Sequence, residues 1–353
     1  MNAAESYLGI YLTITTAVVC LLMIYVALNP NMRSKEYPLI PYAMGSLLFW
    51  FLAIWLAVRP ISVYFGDMMN YMIAFQGYLY TDEINSQGDY LFEVMMLFFA
   101  KNFNAEAFFF FCTMLYFIPI YLAYRRIFKS FWPLVFILST IVIAFYGFAV
   151  NGIRNGIAAQ IFLLGLALPK RVSWILILTS IGFHSSMLIP ALGYFSAIVV
   201  RQVRFYFMFW LLALFTSIVY SDFGELMQTL GLTNNKLDGY ISDDSLAHEF
   251  SMTGYRYDFV LYSAFPVGVA AYYIFKRNFK DAFYNHMTSV YLFANAIFIL
   301  MNEMLFSNRF AYLSWFMMTI ILIYPIYKLR TKQDVNVLLV IILYLLSSYL
   351  IVS

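Results

Sequence analysis

One short polar segment, residues 151–158, carries side chains suited to binding an anion. It reads Asn-Gly-Ile-Arg-Asn-Gly-Ile-Ala and opens an apolar run, so Asn151 and Arg154 would share one face of a helix. Gly152 and Gly156 form a Gly-x-x-x-Gly pair, which predicts the close approach of a neighbouring helix. An arginine held at membrane depth is costly and therefore indicates a function. The alternative is an interfacial arginine that reaches lipid phosphates.

Three more arginines stand beside apolar runs, each in a polar motif. Arg59 precedes a proline, Arg256 lies in Gly-Tyr-Arg-Tyr-Asp, and Arg309 lies in Ser-Asn-Arg-Phe-Ala-Tyr. Guanidinium groups make two-point contacts with phosphate and carboxylate oxygens. Together with Arg154, these residues predict a basic pocket for an anionic lipid headgroup or a pyrophosphate.

The alternative for each of these three arginines is an ion pair with an acid nearby in the sequence. The candidate pairs are Arg59–Asp67, Arg256–Asp258 and Arg309–Glu303. Such a pair would satisfy the arginine within the protein and leave it without a ligand role. The case is strongest for Arg256, because its acid is only two residues away.

Two carboxylates are candidates for chemistry on a sugar hydroxyl. Asp67 would share a helical face with Asn70 and Tyr71, and it could hold or deprotonate a hydroxyl. Its alternative role is that of a helix N-cap or turn residue. Glu93 lies among aromatic residues, where burial would raise the pKa of its carboxyl, unless it pairs with Lys101.

The histidine and cysteine patterns do not indicate a metal centre. His184, in Gly-Phe-His-Ser-Ser, is a candidate for acid–base chemistry, although a lone histidine is more often a hydrogen-bonded structural residue. Cys20 and Cys112 lie in apolar runs and offer neither a disulfide framework nor a metal site. No Gly-rich phosphate loop or metal-ligand spacing is present. We therefore expect no metal and no cofactor, and nothing in the sequence indicates binding to nucleic acid.

The composition of the chain predicts a helical membrane protein. The 353 residues are 63% hydrophobic and only 11% charged, whereas soluble proteins carry about 25% charged residues. Apolar runs of about 20 residues cross a bilayer as helices. The candidate spans are residues 7–28, 38–58, 105–124, 132–149, 152–168, 205–221, 257–275, 284–305, 309–327 and 334–352.

The distribution of basic residues predicts the topology of these spans. Most of the lysines and arginines fall in alternate loops, which the positive-inside rule assigns to the cytoplasm. Residues 172–200 must then enter the membrane and return, as a helical hairpin or a re-entrant segment. We therefore predict an all-α polytopic integral membrane protein with about 11–12 transmembrane helices, in a single transmembrane domain over residues 1–353.

Two long loops then fall on the outer side, at about residues 60–104 and 222–256. The first is aromatic and acidic, and its 90–99 part is apolar enough to lie on the membrane as an amphipathic helix. Loops of this length are usually functional or disordered. The four arginines face the same outer side, where basic residues are otherwise rare.

Taken in order, these motifs resemble those of the EpsG-type branch of the Wzy polysaccharide polymerases. The family pattern has Arg-Pro, then Gly-Asp-x-x-x-Tyr, a glutamate in an aromatic segment, Asn-Gly-x-Arg-x-Gly-x-Ala, Phe-His-x-Ser, and a late Arg-Phe. The matching residues are Arg59, Asp67, Tyr71, Glu93, Asn151, Arg154, His184, Asn308 and Arg309. The resemblance covers about residues 55–315. It departs at Met68, where threonine is more usual, which bears on sugar contacts more than on the class of enzyme.

The resemblance implies a glycosyltransferase of the bacterial cytoplasmic (inner) membrane, with its active site facing the periplasm or exterior. It would join oligosaccharide repeat units carried on undecaprenyl pyrophosphate, for O-antigen, capsule or exopolysaccharide. The donor and acceptor would both be lipid-linked glycans, and a chain-length regulator protein and membrane lipids would be further partners.

The resemblance also suggests roles for the matching residues. Arg154 and Arg309 would stabilise the departing pyrophosphate. Asp67 would orient or deprotonate the acceptor hydroxyl, with Glu93 and His184 as further candidates. The substrate contacts would come from Arg59, Tyr71, Glu93, Asn151 and Asn308, and also from Arg256, which the distribution of charge adds to them.

Other functions fit the same motifs, and one of them is a structural membrane subunit that only binds lipid. A flippase or transporter of lipid-linked oligosaccharide would also need an anion pocket, but with polar residues through both leaflets. An O-antigen ligase would use the same leaving group with another acceptor. A flippase and a ligase differ from a polymerase in the glycan intermediate that accumulates when the gene is deleted.

Overall fold

The computed structural model describes residues 4–29, 39–84, 89–219, 254–304, 307–329 and 331–352. It is 84% helical, and the described residues contain no strand. A helix satisfies every backbone donor and acceptor within its own segment, which a bilayer requires. The all-α polytopic membrane fold predicted from the composition is thus confirmed.

Within the described residues, five helical stretches are long and apolar enough to cross a membrane, and several shorter apolar helices accompany them. The five stretches are Tyr7–Leu28, Leu39–Ala57, Ala105–Ser139, Tyr257–Lys276 and Ser307–Leu329. The predicted figure of 11–12 transmembrane helices stays a prediction, since length and composition do not settle which of the shorter helices cross.

The chain forms two units, and the first contains residues 1–188 and 322–353. Its helices before residue 188 are α1 (Tyr7–Leu28), α2 (Leu39–Ala57), α3 (Met68–Gly77), α4 (Tyr90–Asn102), α5 (Ala105–Phe128), α6 (Trp132–Ser139), α7 (Ile143–Val150), α8 (Ile153–Ala167) and α9 (Lys170–Phe183). The predicted helix at residues 90–99 is confirmed as the start of α4, and its position on the membrane surface stays a prediction.

The second unit contains residues 189–321. Its helices are α10 (Leu188–Val199), α11 (Val203–Val219), α12 (Tyr257–Ala271), α13 (Ala282–Leu300) and α14 (Ser307–Trp315). α15 (Met318–Leu329) leads the chain back to the first unit, which ends with α16 (Lys332–Val352). Most of the predicted outer loop at residues 222–256 lies outside the described residues.

Aromatic side chains fill the core of the first unit between α2, α5, α6 and α7. The ring of Phe49 packs edge-on to that of Phe136, with centroids 5.0 Å apart, and Phe136 meets Phe145 at 5.7 Å. Gly45 of α2 faces the backbone of Pro133 so closely that a Cβ there would overlap with it. Burial of large rings at close helix contacts supplies much of the packing energy of such a core.

In the second unit, a buried polar chain crosses from α11 to α13 and α14. The indole Nε1 of Trp210 donates to Oδ1 of Asn295 at 2.8 Å, and Nδ2 of Asn295 donates to Oγ of Ser314 at 3.0 Å. The donors of these two hydrogen bonds both have an acceptor, so their burial costs little free energy. The bonds also fix the orientation of the three helices relative to one another.

Two predicted spans are interrupted. Residues 132–149 form α6 and α7, separated by the turn at residues 140–142, and residues 172–200 form α9 and α10, separated by a 3₁₀ turn at Ser185–Met187. The second interruption agrees with the predicted two-part segment, and it leaves His184 at the end of α9.

Candidate functional site

Asp89, which immediately precedes α4, is the centre of a buried polar cluster in the first unit. Its Oδ2 accepts a hydrogen bond from Nη1 of Arg154 at 2.8 Å. Its Oδ1 lies 3.2 Å from Nδ1 of His184 and accepts the backbone N–H of Ser185 at 3.0 Å. Asp89 is 3% exposed. Protein groups from distant parts of the chain form hydrogen bonds with both of its carboxylate oxygens.

Three helix ends bring this cluster together. Arg154 lies in the first turn of α8, and His184 has an extended backbone that terminates α9. α4 packs against α9 at Gly182, where a Cβ would lie 2.6 Å from a methyl carbon of Leu91. A larger residue there would require the Leu91 side chain to move, so Gly182 favours the close approach that lets Asp89 reach the end of α9.

The surroundings of Asp89 favour its charged form. Burial by itself raises the pKa of a carboxyl group. Here the hydrogen bonds from His184 and Ser185 and the positive charge of Arg154 outweigh burial and hold the pKa of Asp89 well below its usual range. The carboxylate is therefore ionised at neutral pH and can only accept hydrogen bonds.

Arg154 and His184 keep part of their surface free. The side chain of Arg154 is 34% exposed and that of His184 is 24% exposed. The guanidinium carbon of Arg154 lies 5.4 Å from the ring centroid of Tyr71, which is a cation–π contact. Arg154 can thus meet a ligand while it remains paired with Asp89.

Glu93 lies one turn into α4 and adds a second acid to this region. It accepts a hydrogen bond from the hydroxyl of Tyr78 at 2.7 Å, and its charge acts on Arg154. The suggested pairing of Glu93 with Lys101 is wrong, because Lys101 pairs with Asp82 at 2.7 Å. The structure therefore couples Glu93 to the arginine of the cluster.

Asp67 and Asn151 are joined by a direct contact. The backbone N–H of Asp67 donates to Oδ1 of Asn151 at 2.8 Å. Gly66 has a φ of 60°, and a Cβ on it would overlap with the Asn151 amide. Asp67 occupies the N-cap position of α3 without making a side-chain cap bond. Its carboxylate accepts a hydrogen bond from Nδ2 of Asn70 at 3.3 Å.

The predicted helical face through Asn151 and Arg154 is wrong in one respect. Asn151 lies in the break between α7 and α8, and α8 starts at Ile153. The break turns the Asn151 side chain toward residues 66–67. Of the predicted glycine pair, only Gly156 is at a close approach, to the backbone of Phe148 in α7, while Gly152 has ordinary space.

Arg59 is 5% exposed and does not pair with Asp67. Its Nη1 donates to the carbonyl of Leu56 at 2.6 Å and to Oγ1 of Thr113 at 2.8 Å. It also lies 5.6 Å from the ring centroid of Phe65. These contacts join the end of α2 to α5, which favours a structural role over contact with a substrate.

Three predicted site residues belong to the second unit. Arg256 forms a two-point ion pair with Asp258, at 2.9 Å from Nε and 2.6 Å from Nη2, and so confirms the local pair. Arg309 is exposed on α14. Asn308 is hydrogen-bonded to the side chain of Tyr312.

Asp89 was not among the residues singled out from the sequence. It stands in a run of polar loop residues, where a functional aspartate looks like any solvated one. The signal that was available is its position directly before an apolar helix in an acidic outer loop. Within the described residues, no group of three or more His, Cys, Asp and Glu side chains could hold a metal ion.

The fold and the cluster define a multi-pass helical membrane protein with a buried Asp–Arg–His site. The model of the EpsG family matches residues 42–353, so the chain belongs to the EpsG family. This membership places it among the membrane proteins of polysaccharide synthesis. Comparisons with curated proteins and with solved structures each gave no match.

Proposed function

We propose that this protein is a membrane glycosyltransferase that joins oligosaccharide repeat units carried on undecaprenyl pyrophosphate. The observation that carries the proposal is the contact of one buried carboxylate, Asp89, with both Arg154 and His184. The cluster combines a fixed cation with a group that can accept a proton. Transfer of a glycan from a diphosphate to a hydroxyl needs both functions.

In this reaction, His184 and Arg154 have separate roles. His184 accepts the proton of the acceptor hydroxyl, whose oxygen forms a bond to the anomeric carbon of the donor sugar. The bond from that carbon to the phosphate oxygen breaks, and its electron pair leaves with the lipid diphosphate. Arg154, whose charge is fixed, stabilises the negative charge that develops during this step.

His184 replaces Asp67 as the preferred acceptor of the proton. A histidine titrates near neutral pH and is the side chain most often used for this purpose. In this structure His184 also has a carboxylate partner, as histidines in other acid–base sites do. Asp67 remains a candidate for binding the acceptor hydroxyl.

The distribution of charge supports an outward-facing site. Arg154 is at the N-terminal end of α8, and Lys170 and Arg171 follow its C-terminal end. A helix of 15 residues is about 22 Å long, so the basic pair and the cluster are at opposite ends of α8. The positive-inside rule assigns that pair to the cytoplasm and the cluster to the exterior.

The decisive experiment sizes the surface glycan of cells in which the gene is deleted and then restored as a variant. Deletion should reduce the glycan ladder to a single repeat unit, and the wild-type gene should restore it. Arg154→Ala and His184→Gln should fail to restore it at normal protein levels. Asp82→Asn serves as the matched control, because Asp82 forms an exposed pair with Lys101 outside the cluster.

The alternative functions give different results in the same experiment. If the single repeat unit does not reach the surface in the deleted strain, the protein is a flippase. If long polymer accumulates on its lipid carrier without transfer to a final acceptor, the protein is a ligase. Normal ladders with both cluster variants would contradict the assignment of the site.

A further inference from the structure

The two carboxylate oxygens of Asp89 have different partners, and this arrangement constrains the protonation pattern of the His184 ring. Oδ2 is taken by the guanidinium of Arg154 at 2.8 Å. Oδ1 faces Nδ1 of His184 at 3.2 Å and accepts the N–H of Ser185 at 3.0 Å. Since the Ser185 contact comes from the backbone, it holds Oδ1 in place beside the His184 ring whatever the state of that ring.

An ionised carboxylate has no proton to donate, so the group that faces it must supply one. Nδ1 of His184 forms this hydrogen bond only when it carries hydrogen. A neutral histidine has a single ring N–H, and the other nitrogen then has a free lone pair. The position of the Asp89 carboxylate therefore selects between the two neutral forms of His184.

We propose that Asp89 is a positioning residue that holds neutral His184 in the form with its proton on Nδ1, leaving the Nε2 lone pair to accept the acceptor hydroxyl proton. This inference rests on the proposed function for its chemical meaning, although the protonation pattern itself can be measured without any reaction. The arrangement also ties the base to Arg154, because one carboxylate fixes both side chains.

The alternative is that Asp89 serves only to neutralise Arg154 and that its contact with His184 is incidental. In that case the position of the histidine proton would not depend on Asp89. Asp89→Asn tests this point, because the side chain keeps its shape but gains an N–H₂ donor and loses its charge. The asparagine amide can present either its N–H₂ donor or its oxygen acceptor to Nδ1. The variant side chain therefore no longer favours hydrogen on Nδ1 over hydrogen on Nε2.

The chain has three histidines, which makes a direct measurement practical. The full chain, labelled with ¹⁵N-histidine and purified in detergent micelles, gives one set of ring signals for each, and His184→Gln identifies the set from His184. At a pH where the His184 ring is neutral, we expect its hydrogen on Nδ1 in the wild type. In Asp89→Asn, we expect a mixture in which the Nε2–H form is substantially populated.

Kinetics on lipid-linked repeat units complete the test. Asp89→Asn should lower kcat by about 100-fold or more, as loss of a well-placed general base does, with KM changed much less. Asp82→Asn, the control, should retain both the wild-type ring signals and kcat.

The possible outcomes separate this inference from the proposed function. A wild-type His184 with hydrogen on Nε2, or an Asp89→Asn variant with unchanged ring signals, would overturn the positioning role, and the wild-type spectrum decides even if the variant fails to fold. The expected ring signals in a protein that does not polymerise repeat units would support the positioning role while contradicting the proposed function.

Discussion

Oδ1 of Asn151 accepts the backbone N–H of Asp67 at 2.8 Å, across 84 positions of the chain. The contact joins the segment before α3 to the break before α8, three residues from Arg154. It depends on Gly66, which adopts a φ of 60° with the Asn151 amide packed directly against its Cα. Two motifs that are separate in the sequence therefore form one local structure beside the cluster.

The first prediction concerns this contact. Gly66→Ala should destabilise the protein by about 1–3 kcal/mol, because alanine is strained at this φ and its Cβ overlaps with Asn151. Asn151→Ala should cost about 1 kcal/mol for the lost hydrogen bond. In the double variant the cost of Gly66→Ala should be smaller, since the overlap is gone. Thermal unfolding in detergent measures all three.

Gly77→Ala is the matched control for this series. Gly77 lies in α3, and a Cβ there meets nothing within 4 Å. Its replacement should leave stability unchanged or slightly higher, because alanine is the better helix former. Equal losses for Gly66→Ala with and without Asn151 would show that the contact does not carry the effect.

The two glycines of residues 151–158 should respond differently to the same change. Gly156→Ala should cost about 1–3 kcal/mol, because the new methyl group overlaps with the backbone of Phe148 and the helices must separate. Gly152→Ala should be nearly neutral, since its nearest neighbour is a Phe148 ring atom at 3.7 Å. Unfolding midpoints and expression levels of the two variants check this. Similar losses in both would favour a symmetric glycine contact.

Arg59 should act through stability and not through substrate affinity. Thr113→Val removes one acceptor of the Arg59 guanidinium and should cost about 1 kcal/mol. Since neither residue is expected to touch a ligand, the fraction of protein that remains folded should polymerise with a wild-type KM. A raised KM in Thr113→Val, at wild-type stability, would instead place Arg59 in the substrate site.

Removal of Arg154 should be costly mainly because it leaves a buried carboxylate. Arg154→Ala should destabilise the protein by about 1–3 kcal/mol, and the retained contacts of Asp89 to His184 and Ser185 limit the loss. Adding Asp89→Asn to Arg154→Ala should recover part of this stability, because the unpaired charge is removed. A double-mutant cycle by thermal unfolding gives the coupling. Strictly additive losses would mean that the pair contributes nothing.

The ionisation of Asp89 should make the stability of the folded protein depend on pH. The pKa of this carboxyl is lowered in the folded protein, so its contribution is complete above the unfolded-state value. It is lost as the pH falls through the folded pKa. The stability difference between wild type and Asp89→Asn should therefore shrink below about pH 4. A difference that changes between neutral and mildly alkaline pH would require another group.

Several features were predictable because they depend on local sequence alone. The apolar runs give helices, the start of α4 follows from its apolar pattern, and the Arg256–Asp258 pair follows from a separation of two residues. Features that join distant segments were not predictable. Asp89 meets partners 65 and 95 positions away, and no pattern around residue 89 encodes either separation.

The amino-acid sequence was enough to predict a helical membrane protein and to identify the arginines, carboxylates and histidine at the ends of its apolar segments. Composition and periodicity suffice for this, because a bilayer permits few structures and rewards long apolar helices. Three contacts are visible only in the folded protein: Asp89 with Arg154 and His184, Arg59 with Thr113, and Asn151 with residues 66–67. These contacts depend on which helix ends approach each other closely. Close packing at positions such as Gly156 and Gly182, where the absence of a Cβ lets neighbouring groups approach, determines which side chains come into contact.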